Sequence, residues 1–412
     1  MDITITPARL AGTVTPPPSK SQAHRALIAA ALADGESVIS NVAFSQDIEA
    51  TLNCLDQLGA RFKRNGSTVT VRGMSASAMS PLRRLAYPQL DCGESGSTLR
   101  FLIPVALAVR GGGIFTGRGR LMERPLTPYF DLFDKQGIFY EQKDGVLTVT
   151  GMLTPGTYQL PGDVSSQFIT GLMSALPLLE RESKIVLSSP LESRDYVEMT
   201  RDMLGRFGIS DVGKSRSWLI PGAQRYQHNS HTIEGDWSQA GFWYAAKFLG
   251  SPVEITGTIP YSAQGDRVIA EHFETMSQPG DMEIDVSGCP DLVPPLAAMA
   301  ALRAGQTTRL VGAARLRIKE SDRLAAVTQV LNALGAQVTE YPDSLTIYGK
   351  GSLPGGAKVD SFNDHRIAMM AAIAATRCEQ PVTITGAECV AKSYPNFWEE
   401  YQRLGAVIRR FG

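Results

Sequence analysis

Six stretches of the chain are apolar at helical length: residues 21–35, 96–109, 166–179, 237–250, 291–305 and 364–377. Two of them, Ala-Leu-Ile-Ala-Ala-Ala-Leu-Ala at 26–33 and Ile-Ala-Met-Met-Ala-Ala-Ile-Ala-Ala at 367–375, have almost no polar face. A helix of that kind is a buried helix. After each stretch comes a short β-branched strand, starting near Val38, Ile114, Ile185, Val253, Thr308 and Val382, about 55 to 76 residues apart. A second helical pattern follows at 52–58, 129–136, 199–207, 270–276, 327–334 and 397–404. It closes on Gly59, Gly137, Gly208, Gly335 and Gly405, and in degenerate form on Gln278-Pro279-Gly280. Glycine suits the left-handed position that ends a helix. The spacing is too long for a solenoid repeat and fits a small α/β unit written six times.

Six units divide naturally into two groups of three. The pattern predicts three buried helices at the centre of each domain, jacketed by strands and outer amphipathic helices. A doubly wound parallel sheet would also alternate strands and helices. The strand runs at 67–72 and 146–150 lie too close to their neighbours for that, and read as hairpin-like additions. Pro16-Pro17-Pro18 and the polar segment 224–231 break the pattern and make reasonable hinges. The expected domains are 1–16 with 232–412, and 17–231.

Composition narrows the function classes. A length of 412 residues favours two or three domains, and 43% hydrophobic with 20% charged residues is ordinary for a globular chain. A net charge of −1 supplies no global basic field for nucleic acid or an anionic membrane, so any anion site must be local. Five cysteines without a C-x-x-C spacing argue against a disulfide framework and a structural zinc. The start, Met1-Asp2-Ile3-Thr4-Ile5-Thr6, has neither part of a signal peptide, and the runs 101–109 and 367–375 are too short to span a bilayer. The expectation is a soluble, cytoplasmic, thiol-reduced protein.

The polar residues of the apolar helices gather at their starts. Lys20-Ser21-Gln22-Ala23-His24-Arg25 opens the first, Glu94-Ser95-Gly96-Ser97-Thr98-Leu99-Arg100 the second, Ser165-Ser166-Gln167 the third and Asn363-Asp364-His365-Arg366 the sixth. Ser, Asn and Asp there are ordinary N-caps. Cations are not, because a helix N-terminus is itself partly positive and a charge of that sign costs about 0.3–1 kcal/mol. Lys20, Arg25 and Arg366 therefore point to an anion held between side chain and helix end. If a helix begins near Glu320, Lys319 and Arg323 share one of its faces, with Glu320 and Asp322 available to neutralise them as a solvated network. Arg124 and Lys392 bring the candidate cations to seven.

The run Gly208-Ile209-Ser210-Asp211-Val212-Gly213-Lys214-Ser215 fits the phosphate-loop pattern G-x-x-x-x-G-K-[ST]. Its context is reversed, following a helix and entering a strand, so it is not read as a nucleotide site.

Taken in order along the chain, these motifs resemble the 5-enolpyruvylshikimate-3-phosphate (EPSP) synthase family, 3-phosphoshikimate 1-carboxyvinyltransferase. The matching residues are Pro18-Ser19-Lys20-Ser21 with Arg25, the run from Gly93 to Arg100, Glu123-Arg124-Pro125, Ser165-Ser166-Gln167, Lys319-Glu320-Ser321-Asp322-Arg323, Asn363-Asp364-His365-Arg366 and Lys392. The resemblance implies a two-domain, inside-out α/β fold, the enolpyruvyl transferase fold. Each domain has three β-α-β-α-β-β repeats, and the active site lies in the cleft between them. It implies transfer of the enolpyruvyl group of phosphoenolpyruvate to the 5-hydroxyl of shikimate 3-phosphate, in chorismate and aromatic amino acid biosynthesis. It also implies a glyphosate target acting as a cytoplasmic monomer on small molecules, with no cofactor, metal, nucleic acid or membrane. The two substrates carry about five to six negative charges, which seven cations can match.

Carried over by the resemblance, Lys20, Asp291 and Glu320 are catalytic. Asp291 is the base for the 5-hydroxyl, and Lys20 and Glu320 shuttle protons at the methylene of phosphoenolpyruvate. Shikimate 3-phosphate falls to Lys20, Ser21, Arg25, Ser165, Ser166, Gln167, Ser193, Tyr196, Asp291 and Lys319. Phosphoenolpyruvate falls to Lys20, Glu94, Gly96, Ser97, Arg124, Gln167, Arg323, Arg366 and Lys392. Glu94, Ser97 and Arg315 depart from the common pattern, and a carboxylate at 94 near phosphate would be repulsive unless Arg124 or Lys20 pairs with it. The sister UDP-N-acetylglucosamine enolpyruvyltransferase family fits less well, since it uses Lys-Asn where Lys20-Ser21 stands and commonly has a cysteine in the loop that is 111–121 here. An RNA-end-binding relative lacks support in the charge and aromatic pattern. A non-catalytic relative would lose Asp291 or Glu320.

Overall fold

The computed structural model describes residues 1–74 and 86–411. Among them twelve α-helices form in alternating roles: α1 (Lys20–Leu32), α2 (Gln46–Leu58), α3 (Gly96–Arg110), α4 (Thr127–Gln136), α5 (Ser166–Ala175), α6 (Arg194–Arg206), α7 (Trp237–Phe248), α8 (Ile269–Met276), α9 (Val293–Ala301), α10 (Arg323–Ala333), α11 (His365–Ala375) and α12 (Phe397–Arg403). The odd-numbered helices are the apolar stretches. In α1 every residue from Gln22 to Leu32 is buried, and α9 and α11 are buried throughout. Each fully buried Leu or Ile contributes about 1.5–3 kcal/mol over exposure. The even-numbered helices bury one stripe only, as in α2, where Ile48, Leu52, Leu55 and Leu58 face inward. Gly59 ends α2 at φ 117°, a conformation that a Cβ would strain.

The chain folds as two compact units, a continuous one, Pro18–Glu234, and a split one, Met1–Pro17 with Gly235–Gly412. Each has its own hydrophobic core. Among the described residues, five four-stranded sheets repeat one pattern, a parallel pair extended by two antiparallel strands. In the continuous unit, Gln89–Asp91 pairs parallel with Gly112–Thr116, which pairs antiparallel with Val146–Thr150, and that strand with Phe139–Lys143. With α3 and α4 between them, these strands spell β-α-β-α-β-β. The hairpin-like strands anticipated at 67–72 and 146–150 take these antiparallel places.

Two sheets are closed by strands remote in sequence. Ser230–Thr232 pairs with Glu36–Ser40 to complete the first repeat (Ser230↔Val38), and Asp2–Thr6 completes the sixth (Ile3↔Ile384 and Ile3↔Arg410). The fourth repeat is reduced to a two-stranded sheet, Val253–Ile255 on Gly12–Val14. Its 3-10 turn Gly265–Val268 and short α8 lead through Gln278-Pro279-Gly280 straight to the next repeat's strand, Met282–Asp285, without a hairpin.

Some expected starts move, and proline or capping is the cause. The fifth apolar helix opens as a 3-10 turn, Pro290–Leu292, and becomes α-helical at Val293, so Asp291 lies in the turn ahead of the helix. The helix expected near Glu320 begins at Arg323 instead, because Asp322 caps it through Ala325 N and a 3-10 turn, Ala314–Ile318, precedes it. Lys319 and Arg323 are thus not two positions on one helical face. The 208–215 run leaves α6 for the strand Val212–Lys214, which is the reverse of a phosphate loop.

Candidate functional site: the cationic helix ends of each unit

In the continuous unit the N-terminal turns of α1, α3 and α5 are tied to one another. Ser19, Ser95 and Ser165 are their caps, each side chain accepting from a backbone N–H of the first turn. Lys20 donates to Asp47 Oδ2 at 2.7 Å, and both side chains are largely buried. Asp47 lies in the first turn of α2, and its carbonyl accepts from Thr98 Oγ1 of α3.

Arg25 is 5% exposed. Its Nε donates to Thr200 Oγ1 at 2.8 Å, Nη1 to Ser21 O at 2.7 Å, and Nη2 to Thr170 Oγ1 and Tyr196 O at 3.3 and 3.0 Å. Burial brings its pKa down to about 10, so the guanidinium stays charged at neutral pH. Gln167 donates to Ser97 Oγ at 3.0 Å and accepts from Arg100 at 2.8 Å. Arg124 is buried with its guanidinium flat against Gly96, where an added Cβ would lie 2.7 Å from Nη1. Glu94 packs its carboxylate against the Gly119 backbone, where a Cβ would lie 2.6 Å from Oε2. Ser166 is buried in the first turn of α5. Ser193, 3% exposed, heads α6 in the left-handed region (φ 51°, ψ 48°), a conformation that costs a non-glycine residue about 1–2 kcal/mol. Such strain concentrates where a backbone is shaped for a ligand.

The split unit gathers its charges on one guanidinium. Arg323 is 1% exposed and donates to Asp364 Oδ2 at 2.8 Å, Asp291 Oδ1 at 2.8 Å and Glu320 Oε2 at 2.6 Å. Asp364 is fully buried, caps α11 through Arg366 N at 3.0 Å and accepts from Ser321 Oγ at 3.0 Å. Arg366 reaches back to Asp291 Oδ2 at 2.9 Å, and Lys319 Nζ stands 3.9 Å from Oδ1. Arg323, Arg366 and Lys319 thus face Asp291, Glu320 and Asp364, with Arg315 near enough to act on Lys319. Burial works to raise the Asp291 pKa, but Arg366, Lys319 and Arg323 outweigh it and hold the carboxyl far below its usual range. Burial lowers Lys319 to about 8 despite Asp291. For Arg323 burial is likewise opposed, and the carboxylates of Asp364, Glu320 and Asp291 hold the pKa above its ordinary value. Lys392, 3% exposed, donates to Asn363 O at 2.6 Å. Phe362 and Asn363 both have positive φ, 53° and 52°, just before the Asp364 cap. Arg315 is buried and donates to the Ser287 carbonyl.

The expected residues therefore fall into one cluster per unit. The structure corrects their electrostatics in one way. Arg323 is not part of a solvated network with Glu320 and Asp322: it is buried among Asp291, Glu320 and Asp364, and Asp322 pairs with Arg317 instead. Sequence reasoning did not assign Asp47, Arg100, Thr170, Thr200 or Asp364 to the site. Asp364 read there as a routine cap, and Asp47 lay ahead of the helical pattern expected at 52–58. Among the described residues no group of three or more His, Cys, Asp or Glu side chains could hold a metal ion, and no helix is long and apolar enough to cross a membrane.

The EPSP synthase (3-phosphoshikimate 1-carboxyvinyltransferase) family model matches residues 5–401. A 3-phosphoshikimate 1-carboxyvinyltransferase of Clostridium kluyveri is 47% identical, with 98% of each chain covered. One from Clostridium acetobutylicum is 44% identical over 99% of this chain and 98% of its own. The fold is also that of an EPSP synthase from Acinetobacter baumannii, with TM-score 0.79 and 24% identity over 99% of this chain and 100% of that one.

Proposed function

The chain belongs to the EPSP synthase family, and on that premise we propose that it transfers the enolpyruvyl group of phosphoenolpyruvate to the 5-hydroxyl of shikimate 3-phosphate. The products are 5-enolpyruvylshikimate 3-phosphate and phosphate, a step of aromatic amino acid biosynthesis. In the addition, the methylene carbon gains a proton, the 5-hydroxyl loses one and its oxygen bonds to the central carbon. In the elimination, the new methyl loses a proton, the double bond re-forms and the bond from the central carbon to the phosphate oxygen breaks.

In the continuous unit, Arg25 and Ser21 take the shikimate carboxylate, Ser165, Ser166 and Ser193 the 3-phosphate, and Gln167 and Tyr196 the ring. Lys20, Gly96 and Arg124 receive phosphoenolpyruvate, with Glu94, Ser97 and Gln167 beside them. In the split unit, Lys319 is a phosphate ligand, and Arg323, Arg366 and Lys392 bind phosphoenolpyruvate. Asp291 is the base for the hydroxyl, and Glu320 shares proton transfer at the methylene with Lys20.

The observation that supports this reading best is Asp291 held between Arg323 and Arg366. Two arginines on one carboxylate suppress its basicity. An arriving phosphate and carboxylate compete for those arginines through charge-assisted bonds, which frees Asp291 and raises its pKa toward that of a working base. The base is thereby armed by the second substrate. We infer also that the protein acts as a cytoplasmic monomer, which light scattering on the purified chain tests. Phosphate release measured with phosphoenolpyruvate and either shikimate 3-phosphate or UDP-N-acetylglucosamine tests the main reading. Turnover with shikimate 3-phosphate alone is expected, and turnover with the nucleotide sugar alone would overturn it.

A further inference from the structure

We propose that Arg100 is a positioning residue for this transfer, setting from below both the amide of Gln167 and the segment that carries Arg124. The inference rests on the reading above. Arg100 is the fifth residue of α3 and 2% exposed, buried just ahead of the apolar run Phe101–Val109. Burying a guanidinium costs several kcal/mol unless its donors are used. Here they are. Nη1 donates to Gln167 Oε1 at 2.8 Å, Nη2 to Pro125 O at 3.1 Å, and the plane lies over Phe168 with 4.9 Å from carbon to ring centroid.

The first bond decides which way the Gln167 amide points. The two ends of a glutamine amide have nearly the same shape, so neighbours alone distinguish them. Arginine has no acceptor, so only the carbonyl end of Gln167 can face it. The NH2 end must then face outward, where it donates to Ser97 Oγ at 3.0 Å. An amide held this way offers N–H, not C=O, to an incoming anion. The second bond grips the carbonyl next to Arg124, whose guanidinium rests on Gly96. One buried side chain therefore sets two anion-facing groups.

The backbone beneath Arg100 is pinned as well. Its carbonyl would ordinarily receive the N–H of residue 104, but Pro104 has none. Tyr129 Oη donates to it instead at 2.7 Å, and burial keeps that phenol protonated by raising its pKa well above the usual value. A lysine at 100 would keep the charge but not the fork, because a point charge on a flexible stem cannot serve both acceptors.

Arg100→Lys and Arg100→Met are the test variants, each assayed for turnover against each substrate and for melting temperature. We expect KM for phosphoenolpyruvate to rise at least tenfold in both, and much more than KM for shikimate 3-phosphate. Guanidinium ion added to Arg100→Met should partly restore it. The effect of Arg100→Met should shrink at least threefold when Gln167 is already alanine. A residue that only packs α3 against α5 would lower the melting temperature and active fraction while leaving KM unchanged, with Arg100→Lys near wild type. That result overturns the proposal. A wild-type chain that does not turn over these substrates would overturn the functional reading instead.

Discussion

Lys20 and Asp47 form a largely buried ion pair, 2.7 Å from ammonium to carboxylate, joining the first turns of α1 and α2. The pair holds a lysine charge over a helix N-terminus that would otherwise repel it. Asp47→Asn removes the carboxylate charge from a hydrogen bond of the kind that contributes about 1.5–3 kcal/mol. If it orients Lys20 for turnover, kcat/KM should fall roughly 10- to 100-fold, with little change in the circular dichroism spectrum. Steady-state kinetics decide it, and activity within twofold of wild type would refute the role.

Gly96 leaves no room for a side chain, because a Cβ would sit 2.7 Å from Arg124 Nη1. Gly96→Ala must push the guanidinium away. KM for phosphoenolpyruvate should rise at least tenfold, about 1.4 kcal/mol, while the dissociation constant for shikimate 3-phosphate stays within twofold. Calorimetry on each ligand separates the two.

Lys319 titrates near pH 8 in the ligand-free protein, chiefly because burial disfavours its charge. Below that pH it already carries the proton that a phosphate ligand needs. Above it, binding must draw a proton from solvent, so affinity for shikimate 3-phosphate should weaken as pH rises through about 8. Calorimetry at pH 8.5 in buffers of different ionisation enthalpy should show net proton uptake, reduced in Lys319→Arg. Proton release would contradict the assignment.

Asp364 does two jobs in the interior, capping α11 and pairing with Arg323. Asp364→Ala takes the fully buried carboxylate from Arg323, which keeps Asp291 and Glu320, and removes a cap, so unfolding free energy should drop by about 3–5 kcal/mol. Glu320→Gln, farther out in the cluster, should abolish most turnover with a loss under about 1 kcal/mol. Urea denaturation with a turnover assay distinguishes the two carboxylates, and equal stability losses would defeat the distinction.

The elements most legible in the chain were those whose physics is local. An all-apolar helix such as 367–375 can only be buried, and a glycine such as Gly59 marks a helix end because few other residues accept its backbone. Cations at helix starts stood out because they oppose the helix dipole. The carboxylates that partner them did not. Asp47 and Asp364 favour a first turn or a cap on purely local grounds, so nothing nearby announces that each also holds a cation from another element. Arg100 hid in the same way, as one polar residue in an apolar run, until Gln167 and Pro125 were brought against it from 67 and 25 residues away.

The sixfold repeat, the burial of its apolar helices and the residue types at their starts follow from the chain's own pattern, because periodicity and capping act within one turn of chain. How the repeats are closed depends on long-range pairing. Ser230–Thr232 completes the first sheet and Asp2–Thr6 the last, pairings that join Val38 to Ser230 and, across nearly the whole chain, Ile3 to Ile384. Tertiary packing also brings Arg323, Arg366 and Lys319 to face Asp291, Glu320 and Asp364. Charge balance in a buried cluster is set by distances of a few ångströms, and folding alone sets them.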